Sequence, residues 1–271
     1  MTNLLRTEWL KIKSYWAFWG VMALTALSYP GVNYIAYETY LELTKKGSST
    51  GPMAQMLLGN PFAFPETFHT TSYTSSFFVF IPAIVVIMLI TNEYNYKTNR
   101  QNIIDGWSRN QFMTGKLVDV LIISVLVTLL FLLVSLVIGF LATKPGHRDI
   151  WSQGKYIGLF ALQTFSQLSL AFLVGFLLRR AFIALAVFVF YFLILENIAV
   201  AYLREKAHDE GRFLPLEMAD RMIPRPSFMG KFNQATYQQA LDAMDRHILY
   251  TVILTVVIWA FCYWLNRKRD L

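Results

Sequence analysis

The chain has 271 residues, of which 55% are apolar and only 15% charged, with 22 Phe and a formal net charge of +7. Soluble globular domains carry roughly 25% charged residues, and a soluble fold of this size exposes too much of its surface to hide so much apolar side chain. This balance excludes a typical cytosolic enzyme, a disordered chain and a disulfide scaffold. Cys262, the single cysteine, allows neither an intramolecular disulfide nor a multi-cysteine metal site.

Residues 2–13 place Leu4, Leu5, Trp9 and Ile12 on one helical arc and Arg6, Lys11 and Lys13 opposite. That pattern suits an amphipathic helix lying in a membrane interface, or simply the flank of the span that follows. A helix needs about 20 apolar residues to cross hydrocarbon. Charge-free windows of that order run over Ser14–Tyr37, Thr67–Asn92, Val120–Thr143, Tyr156–Leu178 and His247–Asn266. A further apolar stretch, from Ala181 to Leu203, is interrupted by Glu196. The first window is longer than the apolar core of a cleaved signal peptide. The charge-free stretch Gly47–Pro65 is broken by Gly47, Gly51, Pro52, Gly59, Pro61 and Pro65 and reads as a loop. Phe62, Phe64 and Phe68 beside it read as an interfacial aromatic belt.

The expected fold is therefore an all-α integral membrane protein in a single domain over residues 1–271. Its spans lie at about 14–37, 67–92, 117–143, 156–178, 181–203 and 247–266. They must be helices, because lipid offers backbone groups no other partners and the ten-residue alternation of a barrel is missing. Tight Lys and Arg clusters at Arg6–Lys13, Lys97–Lys116, Arg179–Arg180 and Arg267–Arg269 put both termini in the cytoplasm. The +7 charge then faces an anionic membrane surface rather than nucleic acid.

The segment Glu93–Arg109 joins the second and third spans. It is longer than a plain connector and carries its own helix punctuation. Gly106 suits the left-handed residue after a helix end. Ser108 and Gln111 have the spacing of a capping box for the next helix. The spacing predicts a short cytoplasmic helix closed by Ile103 and Ile104, a break at Asp105–Trp107, and a newly capped third span. Glu93, Thr98, Ile103-Ile104, Ser108-Arg109, Phe112 and Gly115-Lys116 resemble the first cytoplasmic loop of the ATP-binding-cassette (ABC) type-2 permease family. Lys97 stands where that family often has Gly, and Trp107 where it often has Pro.

The resemblance implies the permease subunit of an ABC exporter. That subunit would pair with a second permease half, identical or not, and with separate nucleotide-binding ATPase subunits that hold ATP and Mg. The short helix would be the coupling helix gripped by the ATPase. In it Tyr94, Tyr96, Ile103 and Ile104 supply apolar anchors, and Lys97, Arg100 and Arg109 supply charge complementarity, around the Glu93, Thr98, Asp105 and Gly106 frame. The implied setting is a bacterial inner membrane, multi-pass, with no cofactor, metal or catalysis on this chain. A scaffold that docks an ATPase without export, and an intramembrane enzyme, remain alternatives.

Polar groups inside the spans are expensive and read as functional. Glu196 lies about 22 Å into its helix at 1.5 Å per residue. It lines the exit of a path, or holds two helices together with Gln163, Ser166 and Gln167 of the fourth span as possible partners, or marks the end of that span. Gln163, Ser166 and Gln167 form one stripe on the fourth span, which lines a polar path or joins helices by hydrogen bonds. Between Arg204 and His247 the prolines break an outer element, and Thr236 with Gln239 has the spacing of a cap for the helix entering the last span. No phosphate-binding glycine loop, His-Glu-x-x-His zinc motif or Gly-x-Ser-x-Gly elbow is present. His69, His147, His208 and His247 read as isolated loop or interfacial residues.

Overall fold

Long Leu, Val and Ile runs become long helices. In the computed structural model, which describes residues 13, 15–45, 51–143, 149–206, 209–230 and 233–268, every regular element is helical. Apart from Lys13, the amphipathic segment expected over residues 2–13 lies outside the described residues, as do His147 and His208. The order is α1 (Trp16–Leu43), α2 (Gly51–Leu58), α3 (Thr67–Ser76), α4 (Phe80–Asn95), α5 (Thr98–Ile104), α6 (Arg109–Ala142) and α7 (Lys155–Leu178). Then come α8 (Ala181–Phe190), a π turn (Tyr191–Leu195), α9 (Glu196–Lys206), a 3₁₀ turn (Glu210–Phe213), α10 (Pro215–Asp220), α11 (Ser227–Gly230) and α12 (Gln234–Lys268).

Four helical segments are long and apolar enough to cross a membrane: α6, α7, the continuous Ala181–Lys206 run and α12. A fifth is possible if α3 and α4, bent by 50° at their junction, count as one span. α1 has the length, at 28 residues, but its Trp, Tyr, Gly, Pro, Ser and Asn content keeps it out of that set. Bare apolar faces on α6 (Leu126, Leu133, Val137), α8 (Phe182, Val187) and α12 (Ile253, Val256) fit a hydrocarbon surround.

α7 is the axis of the bundle and packs against α3, α4, α6, α8, α10 and α12. Gly175 lets α4 come close: a Cβ there would lie 2.7 Å from Ile90 Cγ2. The window Thr67–Asn92, expected as one span, is broken for two reasons. Pro82 has no N–H and fits only the first turn of a helix. The hydroxyls of Thr71, Thr74, Ser72 and Ser76 bond back to carbonyls three or four residues earlier, which weakens a helix and bends it.

Three further expectations are corrected. Gly51–Leu58, read as loop, is a short helix that begins at a glycine and stops before Gly59. Phe62, Phe64 and Phe68 are core residues rather than a belt: Phe62 packs on Tyr37 and Tyr40, and Phe64 on Phe68 and Phe140. α12 starts at Gln234, not after a Thr236 cap; Asn233 Oδ1 accepts the Thr236 amide. As expected, α12 runs unbroken into the last apolar window. Its 35 residues reach about 52 Å at 1.5 Å each.

Candidate functional site

Two polar clusters occupy opposite ends of the bundle. The first is built on the α4–α5–α6 turn. Lys97 takes a left-handed conformation (φ 56°) and turns the chain out of α4. α5 then runs for seven residues and ends in a Schellman motif. The Gly106 amide donates to Ile103 O, and the Trp107 amide to Asn102 O, with Gly106 left-handed at φ 98°. α6 begins in the expected capping box: the Gln111 amide donates to Ser108 Oγ, and the Ser108 amide to Gln111 Oε1.

A buried polar knot holds this turn. Lys116 Nζ donates to Glu93 Oε1 at 2.8 Å and to Asp119 Oδ2 at 3.2 Å, and Thr98 Oγ1 donates to Glu93 Oε2 at 2.8 Å. Glu93 belongs to α4, Thr98 to α5, and Lys116 and Asp119 to α6, so one carboxylate ties three helices. Glu93, Thr98 and Lys116 were singled out by the sequence without any sign that they touch. Asp119 was missed, although it stands one helical turn after Lys116.

The outer face of α5 is left bare. Arg100, Gln101 and Ile104 project from it, with Ile104 84% exposed, and Tyr96, Lys97 and Asp105 flank it. Tyr94 and Ile103 are half-buried; the Arg179 guanidinium lies 4.9 Å from the centre of the Tyr94 ring. Arg109 belongs elsewhere. Its guanidinium donates to Asn266 O and Arg267 O, and Asn266 Nδ2 donates back to Arg109 O, which fastens α6 to the end of α12.

The second cluster surrounds α10, which folds back between α7 and α12. The π turn Tyr191–Leu195 inserts an extra residue into the helix just before Glu196. The helix does not end there but continues to Lys206, and Glu196 is only 3% exposed. Glu196 Oε1 accepts the amides of Leu216 and Glu217, both at 2.7 Å, and so caps α10. At the other end of α10, Asp220 Oδ1 accepts from Gln163 Nε2 and Gln167 Nε2, again both at 2.7 Å. Ser166 is buried on the same helix without joining those bonds. The glutamine stripe and Glu196, considered as partners from the sequence, instead hold opposite ends of one short helix.

Burial pushes the Asp220 carboxyl up to about 7, against the pull of the two carboxamides, with Glu217 and Glu196 adding to the rise. Arg221 beside it grips Asp209 through two bonds and Glu217 through a third. That guanidinium holds the Asp209 carboxyl below the usual range. His69 and His247, read as loop or interfacial residues, are buried; the His69 ring stacks on Tyr156 at 3.9 Å and its Nε2 meets Pro224 O at 2.8 Å. Among the described residues no three His, Cys, Asp or Glu side chains converge as a metal site.

No curated protein matches the chain. Residues 49–271, well over half of its length, match the family described as "Protein of unknown function (DUF2705)", and the protein belongs to that family.

Proposed function

We propose that this chain is the membrane-spanning permease subunit of an ABC exporter, driven by ATP hydrolysed on separate subunits that dock on α5. In this reading α1 is the first of six spans, the bent α3–α4 pair is the second, and both termini face the cytoplasm of a bacterial cell. A second permease half, identical or not, completes the pathway. The chain itself binds neither ATP nor Mg and carries out no catalysis.

The observation that carries the reading is the buried Glu93–Thr98–Lys116 knot. A motor that closes beneath the membrane must push on something stiff. α5 is stiff because it is clamped at its base by that knot and closed at its tip by the Gly106 motif. Its bare face offers one apolar anchor, Ile104, beside the Arg100 cation. That is the composition of a small docking surface, where an anchor supplies binding energy and charge sets register. Arg109, engaged with α12, supports the lever instead of meeting the motor.

The test is a paired substitution on the bare face, Arg100→Glu with Ile104→Asp. Neither side chain contributes to the knot. The expected result is a folded chain that no longer retains a phosphate-loop ATPase after detergent solubilisation, and membranes that lose ATP-dependent export. Retention of the ATPase at the wild-type level overturns the assignment of α5. Loss of the ATPase with no export activity in the wild type to begin with would favour a scaffold.

A further inference from the structure

Beside α5, at the end of the bundle where α4, α7, α8 and α12 terminate or begin, lies an open cleft of about 320 Å³. Ligand sites typically occupy about 300–1,000 Å³. Four cations line it: Lys97, Arg100, Arg179 and Arg180. Among the described residues no carboxylate lines it, and none of the four makes an ion pair with a described residue. Arg179 and Arg180 are brought there by the sharp turn between α7 and α8, where Arg179 takes a left-handed conformation. Four like charges around one hollow repel one another, and an anion among them removes that repulsion.

The neutral lining points the same way. Asn95, Asn99 and Asn266 add carboxamide groups to the wall. Asn99 is more than nine-tenths buried, and its side chain has no hydrogen-bonding partner among the described residues. Its carboxamide faces the open cleft instead of being sealed among protein groups, so it is free to meet an entering ligand. Tyr94 and Phe112 form an apolar part of the wall next to the apolar helix runs.

We propose that this cleft binds a phosphate group, and that the group is carried by an anionic phospholipid whose headgroup enters between the helix ends. Guanidinium groups match the oxygens of a phosphate better than any other side chain. Basic hollows between spanning helices at a membrane face are suited to such headgroups. The inference goes beyond ATPase docking and needs no partner chain. Arg179 and Arg180 lie off the docking face, so the two ideas fail separately.

The experiment follows thermal unfolding of the detergent-solubilised full chain. Short-chain phosphatidylglycerol, sodium phosphate and sodium chloride are added at matched ionic strength to wild type, to Arg179→Gln/Arg180→Gln, and to the exposed single variant Arg100→Gln. Phosphatidylglycerol is expected to raise the wild-type midpoint by a few degrees at saturation. The double variant is expected to lose at least half of that rise, and Arg100→Gln part of it. If sodium phosphate stabilises as well as the lipid, the site takes the phosphate group itself and the lipid assignment falls. If neither exceeds chloride, or if both variants respond as wild type does, the cleft binds no phosphate and the proposal is overturned.

Discussion

Lys116 Nζ and Glu93 Oε1 lie 2.8 Å apart in the bundle interior, although 23 positions separate them in the chain. Both side chains are almost wholly removed from solvent. Breaking a buried pair strands the remaining charge and typically costs about 3–5 kcal/mol. Lys116→Met is therefore expected to lower the unfolding midpoint sharply, because it leaves Glu93 and Asp119 without their shared cation. Glu93→Gln with Lys116→Met removes both members and is expected to cost less than the sum of the two single changes. A double-mutant cycle in detergent checks this, with a coupling above about 1 kcal/mol expected. Additive effects would mean that the pair does not hold α5.

Glu196 is expected to act through α10. Replacing it with Leu leaves the amides of Leu216 and Glu217 without their acceptor. Each unsatisfied buried amide costs about 1–3 kcal/mol. Glu196→Gln keeps an oxygen acceptor and is expected to be much milder. The readout is limited proteolysis around residues 209–230, which should accelerate in Glu196→Leu and stay near the wild-type rate in Glu196→Gln. Equal rates in all three proteins would remove Glu196 from the support of α10.

Asp220 lies on α10, outside the long apolar helices, and gives a pH prediction. Its folded carboxyl titrates near 7, above the ordinary carboxylate value, because it is buried. Between the unfolded value near 3.8 and the folded value near 7, the folded chain holds the proton more tightly than the unfolded chain. Stability from this group is therefore present below about 4 and is lost as pH rises toward 7. Asp220→Asn removes the titration while keeping an oxygen for Gln163 and Gln167. The difference in unfolding midpoint, Asp220→Asn minus wild type, is expected to grow from about pH 4 to about pH 7 and then to level off by pH 8. Parallel profiles over that range would refute it.

What the sequence reveals and conceals here follows from distance along the chain. The Ser108–Gln111 box and the Gly106 stop depend on neighbours within a few positions, and both appear where their spacing puts them. The long apolar helices are legible for the same reason, since composition alone makes them. Asp220 was invisible because its meaning comes from Gln163 and Gln167, more than 50 positions earlier. His69 looked like a loop residue until Pro224 O and the Tyr156 ring closed over it. The break between α3 and α4 was foreseeable from Pro82 and the run of hydroxyl residues, but a charge count does not weigh either. Arg109 illustrates the remaining gap: a charge pattern identifies a cation in the loop, whereas only the fold assigns it to the α12 carbonyls.

Lys97 carries the last prediction, because its backbone stands at φ 56° where α4 turns into α5. A left-handed conformation costs an L-residue about 1–2 kcal/mol, and glycine avoids that cost while giving up about 0.5–1 kcal/mol of unfolded-chain freedom. Lys97→Gly is therefore expected to be neutral to about 1 kcal/mol stabilising. Lys97→Val is expected to be clearly destabilising, since a β-branched side chain tolerates φ > 0 worst. The order Gly, then Lys, then Val in unfolding midpoint tests the turn directly, and neither replacement carries a charge, so lost electrostatics cannot separate the two. A Val variant as stable as the Gly variant would show that the turn relaxes without cost, and α5 would then lack the fixed base that a lever requires.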